Sequence, residues 1–377
     1  MRGRRLLVAL LVLGALAEFD GLVAEAQPAA VPPTRLAVLT RGVNLGNWFS
    51  QAPGGRQYQH ERLRHWIEAD EFGALARAGF RHVRFPVEFE MFFDEDHPSE
   101  LKPDFLADFD LALDHILGAG LAVVVDFHAR EDTKKRLRTD DAFVAKVGLL
   151  WGAVAGHLAG RDPDRVFLET MNEPLGDMAA PRWRAIQARF FSAMRAAAPG
   201  RTIIVTATRW DAIDELAKLE PLPDGDVVYT FHFYSPMVFT HQGAAWVHNG
   251  ERLVAGLAFP VAPANRAAIA GGLADPKIRS MVLAYAADRD VLAEQISLAA
   301  QWAGSRHVPL YCGEFGVYTR AAPPDSRQRW LTAVRELCEQ RGIGWAMWDY
   351  CGGFRVALGD TPGDRSLDPT CLQALGL

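Results

Sequence analysis

No extended basic stripe, no GxSxG elbow, no Walker-type phosphate loop and no CxxC pair occurs in these 377 residues. Forty Lys and Arg stand against 46 Asp and Glu, a formal net charge of -6 with both signs interspersed, which leaves no electrostatic footprint for nucleic acid. The missing elbow and phosphate loop set aside serine-hydrolase and P-loop chemistry. Cysteine is scarce: Cys312, Cys338, Cys351 and Cys371 all fall in the last quarter of the chain, without the paired spacing of a zinc site. In an oxidising compartment Cys338 and Cys371, on the last two expected helices, are the pair placed to meet, while Cys312 lies inside an expected strand and packs. Nor is any apolar run long enough to span a bilayer, since Glu18 and Asp20 interrupt the one that starts at Leu6. Preceded by Arg2, Arg4 and Arg5 and followed by Ala24-Glu25-Ala26, that run reads as a signal peptide over residues 1–26. A secreted or periplasmic protein is therefore expected, with no membrane span after cleavage. No linker, repeat or low-complexity tract divides residues 27–377, so one domain is expected, preferably a monomer.

What is present is a repeated alternation of short β-rich runs with amphipathic segments, the pattern of successive βα units. Eight strands are expected, at 37–43, 82–87, 122–127, 166–171, 202–207, 227–233, 308–313 and 344–348. Helices are expected at 69–78, 105–119, 141–159, 181–198, 211–219, 291–303 and 326–340, with a last one starting at Asp368-Pro369. Eight unbroken units point to a closed (β/α)8 TIM barrel. The spacing breaks once: about fifty residues, 235–290, separate the sixth strand from the sixth helix. A loop of that length is expected to form a wall or lid over a cleft, with Trp246 either a sugar platform or the core of the excursion.

Chemistry enters at the strand ends. In VFLETMNEPLG (166–176) an apolar strand runs into Asn172-Glu173 and is stopped by Pro174. In VPLYCGEFGVY (308–318) a second acid, Glu314, sits between Gly313 and Gly316, which let the backbone bend around it. Acids ending strands four and seven would face each other across the barrel mouth, where they can divide proton donation from nucleophilic attack, the requirement of glycoside hydrolysis. Further polar or aromatic groups close other strands: Arg84 in VRFPV, His128 in VVVDFHAR, His232 and Tyr234 in YTFHFYSP, and Trp348 in WAMWDY. Glu169, sharing strand parity with Glu173, is expected to point into the barrel as a buried structural acid.

Arg84, His128, Asn172-Glu173-Pro174, His232, Tyr234, Glu314 and Trp348, in that order, resemble glycoside hydrolase family 5. The opening RGVNLGNWF (41–49) is also similar to the first strand of that family's glucanases, which places Trp48 with the substrate-binding residues. The resemblance implies a retaining mechanism with Glu173 as acid/base and Glu314 as nucleophile, and no cofactor or metal. Retention needs carboxyl groups about 5–5.5 Å apart, whereas about 9 Å would mean inversion. Arg84 and Tyr234 are cast as stabilising the Glu314 charge, Asn172 as the partner of a sugar 2-hydroxyl, and His128 and His232 as hydrogen-bonding groups around the sugar. Trp348 would offer an aromatic face to a pyranose. The expected substrate is a β-linked polysaccharide, first β-1,4-glucan or mixed-linkage glucan, with β-mannan, xylan and β-1,3-glucan as alternatives. Two rival readings are a metal-dependent hydrolase using Asp126, His128, His232 and Glu314, and a barrel that binds glycans without turnover.

Overall fold

The computed structural model describes residues 30–377, so the signal-peptide reading of residues 1–26 lies outside the described residues. Eight parallel strands close into a barrel in sequence order: β1 (Gly42–Asn44), β2 (His82–Val87), β3 (Ala122–Phe127), β4 (Val166–Glu169), β5 (Ile203–Val205), β6 (Val227–Phe233), β7 (Leu310–Phe315) and β8 (Gly344–Met347). Closure is made by β8 against β1, with Gly42 opposite Ala346. Every residue of these strands is buried, which is why they read as apolar runs without alternation.

The barrel interior has two layers. Its floor is apolar, built from Val124, Phe167, Ile204, Val228, Tyr311 and Ala346, and is closed from below by Val31 and Leu39. Above the floor lie Arg84, Asp126 and Glu169, none of them exposed. A larger apolar shell, which includes Trp151, Trp183, Trp302 and Trp330, fills the space between the strands and the surrounding helices.

Several expectations are corrected. The first strand is only three residues long. Residues Pro33–Val38 form a helix with Pro at its start, and Arg35 ties that helix under the barrel by hydrogen bonds to Asp164, Thr202 and Asp226. The expected strand at 37–43 mistook this apolar plug for sheet. Arg84 does not close β2 but sits in its middle, one layer below the mouth. The fifth helix shrinks to Ile213–Leu216, because Asp211 adopts a left-handed backbone (φ 57°) and cannot start a helix. Cys338 and Cys371 do not pair: Cys338 faces Cys312, while Cys371 lies 3.5 Å from a guanidinium nitrogen of Arg327. All four cysteines are free.

The long excursion after β6 carries two single helical turns, Met237–Thr240 and Glu251–Leu253, and two nine-residue helices, Pro263–Gly271 and Pro276–Ala284, before the chain enters the helix Arg289–Arg306. Asp275 starts the helix at Pro276 and Asp288 the one at Arg289 by accepting main-chain N–H groups at their N-termini.

Candidate active site

Strand β7 carries one extra residue against β6: Phe231 pairs with Cys312, but His232 pairs with Glu314. The bulge at Gly313 turns the Glu314 side chain into the barrel mouth. Only glycine fits at the bulge, because a Cβ on Gly313 would lie 2.8 Å from Oγ1 of Thr230 and 3.2 Å from Nε2 of His232. A Cβ on Gly316 would stand 2.4 Å from the Trp348 carbonyl oxygen, so both glycines flanking the acid are demanded by close approach.

Glu314 is 5% exposed and held by two donors: Nη1 of Arg84 at 2.8 Å and the Tyr234 hydroxyl at 2.8 Å. Arg84 is itself fixed on every side. It donates to Glu169 at 2.6 and 2.9 Å, to Asn44 and Asn172 at 2.9 Å each, and lies 3.1 Å from Asp126. Glu169 is thus the buried structural acid expected from its parity.

Glu173 is more open, with a quarter of its side chain exposed. Its backbone is left-handed (φ 46°), a conformation that costs roughly 1 kcal/mol or more outside glycine and persists only where the surroundings enforce it. Its Oε1 lies 2.9 Å from Nδ1 of His232, and the same nitrogen stands 3.6 Å from Oε2 of Glu314. Carboxylate oxygens of Glu173 and Glu314 and a ring nitrogen of His232 all fall within 4.8 Å of one another. That spacing falls short of the roughly 6.5–9.5 Å of inverting enzymes and matches the short separation of retaining glycosidases, about 5–5.5 Å.

Burial pushes both carboxyls above their usual range. On Glu314 this is opposed by His232, Arg84 and the Tyr234 hydroxyl and reinforced by Glu173. Burial also holds the two histidines down, His232 to about 4 and His128 well below its ordinary value, so both are neutral at physiological pH.

The other expected residues converge here with one exception. Asn172 presents its amide between Arg84 and His128, whose Nε2 lies 3.4 Å away. Trp348 is half-buried and stacks on His128, with ring centroids 5.9 Å apart. Trp246 stands 52% exposed on the excursion, edge-on to Tyr318 at 4.8 Å beside Phe354 and His241. The exception is Trp48, which is 1% exposed, donates to the Leu63 carbonyl and packs on Phe49 and Phe85 at 5.0 and 5.1 Å. It belongs to the shell behind β1, not to the cleft. Trp48→Ala should therefore cost about 3–5 kcal/mol in a denaturant titration while leaving KM unchanged.

The metal reading does not gather its four ligands: among the described residues the ligand atoms that fall within 4.8 Å of one another belong to Glu173, His232 and Glu314, while Asp126 Oδ2 accepts from Nδ1 of His128 at 2.9 Å and lies 3.1 Å from Arg84. Three residues of the site were not singled out from sequence as part of it: Asn44, whose amide bridges Arg84 and the Gly313 carbonyl; Asp126 in its supporting role; and Asp211, which accepts the Glu173 N–H at 3.0 Å. Asn44 stood in the RGVNLGN stretch and Asp126 beside His128, so position gave some signal for both.

Endoglucanase 3 of Fibrobacter succinogenes is 28% identical over 339 residues, 84% of this chain and 50% of that protein. Endoglucanase C of Acetivibrio thermocellus is 27% identical over 317 residues, 82% of this chain and 90% of the relative. The chain thus spans half the length of the first relative and nine-tenths of the second. Among solved structures, the endoglucanase Cel5A from Thermotoga maritima superposes with a TM-score of 0.74 at 28% identity, covering 92% of this chain and all of the other. The cellulose synthase subunit Z of Clostridioides difficile matches with a TM-score of 0.72 at 26% identity, covering 89% and 99%. The model of the cellulase family, glycosyl hydrolase family 5, matches residues 49–353, a stretch that starts five residues after β1, runs past Trp348 and includes both facing glutamates, and the chain belongs to that family.

Proposed function

We propose that this chain is an exported, retaining endo-β-1,4-glucanase, with Glu314 as nucleophile and Glu173 as acid/base. The reading is carried by the two carboxyls, whose oxygens lie within 4.8 Å of each other at the mouth of one barrel. Arg84 and Tyr234 hold Glu314 ready in its ionised form, whereas Glu173 meets only His232 with its carboxyl, so the proton of the pair rests on Glu173. In the first step Glu314 attacks the anomeric carbon and forms a glycosyl ester. The glycosidic C–O bond breaks, and its electron pair takes the Glu173 proton. In the second step Glu173 removes a proton from water, the oxygen of that water attacks the anomeric carbon from the face just vacated, and Glu314 leaves as carboxylate. Asn172 is placed for the sugar 2-hydroxyl, and Trp348 and the exposed Trp246 offer faces to pyranose rings. The two acids and water suffice, without a cofactor.

The choice of β-1,4-glucan and of endo action is supported by the names of the similar proteins, and the export by the leader-like residues 1–26. Similarity to a cellulose synthase subunit favours a glucan that the cell itself exports. Purified protein should lower the viscosity of carboxymethylcellulose or mixed-linkage glucan faster than it releases reducing ends, with xylan, β-1,3-glucan and mannan cleaved more slowly. Proton NMR of the fresh product should show the β-anomer first. An α-anomer appearing first, or cleavage confined to a non-glucan polymer, would overturn the reading.

A further inference from the structure

Behind the acid/base candidate lies a turn whose shape has no explanation in the barrel itself. After β5, Arg209, Trp210 and Asp211 all adopt left-handed backbones, with φ of 54°, 60° and 57°, although none is glycine. Such a run is unfavourable for L-residues and needs something to hold it. Asp211 supplies the hold. It is wholly buried, its Oδ1 accepts the Ala207 N–H at 2.7 Å, and its Oδ2 accepts the Glu173 N–H at 3.0 Å. One residue earlier, the Trp210 N–H donates to the Pro174 carbonyl at 3.1 Å. The turn therefore clasps the main chain on both sides of Glu173, the residue whose own left-handed backbone aims its carboxyl at the cleft. Asp211 Oδ2 also stands 3.8 Å from Nε2 of His232, a buried nitrogen with no hydrogen-bond partner, while the other ring nitrogen touches the Glu173 carboxyl. The charged and titratable groups facing Asp211 are Glu169, Glu173 and His232.

We propose that Asp211 is a positioning residue for the acid/base step: it fixes the backbone of Glu173 and places its charge behind the imidazole that touches the Glu173 carboxyl, so that protonation of the leaving oxygen depends on it. The proposal rests on reading Glu173 as the acid. Asn at this position offers one acceptor oxygen where two are used, so Asp211→Asn sets an amide N–H against one of the two main-chain donors.

The test compares kcat/KM for phenyl β-cellobioside, whose leaving group needs a proton, with that for 2,4-dinitrophenyl β-cellobioside, whose leaving group does not. Asp211→Asn should lose about 10- to 100-fold on the phenyl substrate and less than about threefold on the dinitrophenyl one, a share of the general-acid contribution. The ratio is measured on one preparation, so a reduced folded fraction cancels. Equal losses on both substrates, or no loss on either, would overturn the proposal. Glu173→Ala run in parallel separates the two claims: if that variant shows the selective loss and Asp211→Asn does not, the acid stands and the positioning role fails. If Glu173→Ala shows no selectivity, the reading of Glu173 itself fails. Asp211→Ser, which keeps one oxygen acceptor, serves where Asp211→Asn does not fold. Failure of both to fold would make Asp211 a folding determinant and count against the proposal.

Discussion

Glu314→Ala is expected to cut kcat/KM on β-glucan by about 10⁴-fold or more, the scale seen when the nucleophile of a covalent mechanism is removed. The fold should survive, because Arg84 keeps Glu169 and Asp126 as partners. Added azide should restore turnover and yield an α-glycosyl azide, since the small nucleophile enters from the face that Glu314 occupied. In Glu173→Ala the same reagent should give the β-azide, entering after the glycosyl ester has formed. A β-azide from the position-314 variant would reverse the two roles. The pH profile carries an independent check. Burial lifts both carboxyls, so kcat/KM should fall at low pH as Glu314 takes up a proton and at high pH as Glu173 loses its own. Both limbs should lie above where ordinary carboxyls would put them. Glu173→Gln, measured on dinitrophenyl substrates that it can still cleave, should show the acid limb alone.

The second large effect belongs to Arg84. Its guanidinium is fully buried and ion-paired with Asp126, Glu169 and Glu314. Arg84→Met keeps most of the volume but strands two carboxylates beneath the site, and breaking a buried pair in this way costs about 3–5 kcal/mol. Urea unfolding near neutral pH should show a loss of that size. The loss should shrink as pH falls through the carboxylate range, because protonated Glu169 and Asp126 need no cation. Arg84→Lys should rescue only part of it, since an ammonium cannot reproduce the forked contacts to Glu169, Asn44 and Asn172. A variant as stable as the parent at neutral pH would mean that the two acids are already protonated in the native protein.

Strands β2, β3 and β6 and the helix Ala69–Ala78 were legible to the residue. Their β-branched runs are buried on both faces, and Gly79, with φ 109°, ends the helix where a glycine was visible in the sequence. The two acids were legible because each stands near the C-terminal end of an apolar run, Glu173 four residues past the last residue of β4 and Glu314 one residue before the end of β7. What sequence did not carry was depth and pairing across the barrel. Trp48 looks the same whether it faces sugar or core, since an apolar ring at the end of a strand satisfies either. Arg84 reads as a strand-end residue until the register with β3 sets it a layer down, near Asp126 and Glu169. The turn at Arg209–Trp210–Asp211 contains no glycine or proline to announce a left-handed backbone, so in sequence it reads as the start of a helix. The neighbour of Cys338 is equally hidden: helix order suggests Cys371, whereas the thiol faces Cys312 on β7.

The plug beneath the barrel has a geometric corollary. Val31 bonds to the Gly225 carbonyl and Arg35 grips residues below β4, β5 and β6, so the chain enters the molecule at the pole opposite the catalytic rim. A bead, a tag or a neighbouring subunit tethered ahead of residue 30 would hold this enzyme from behind, with its groove turned outward toward arriving polymer.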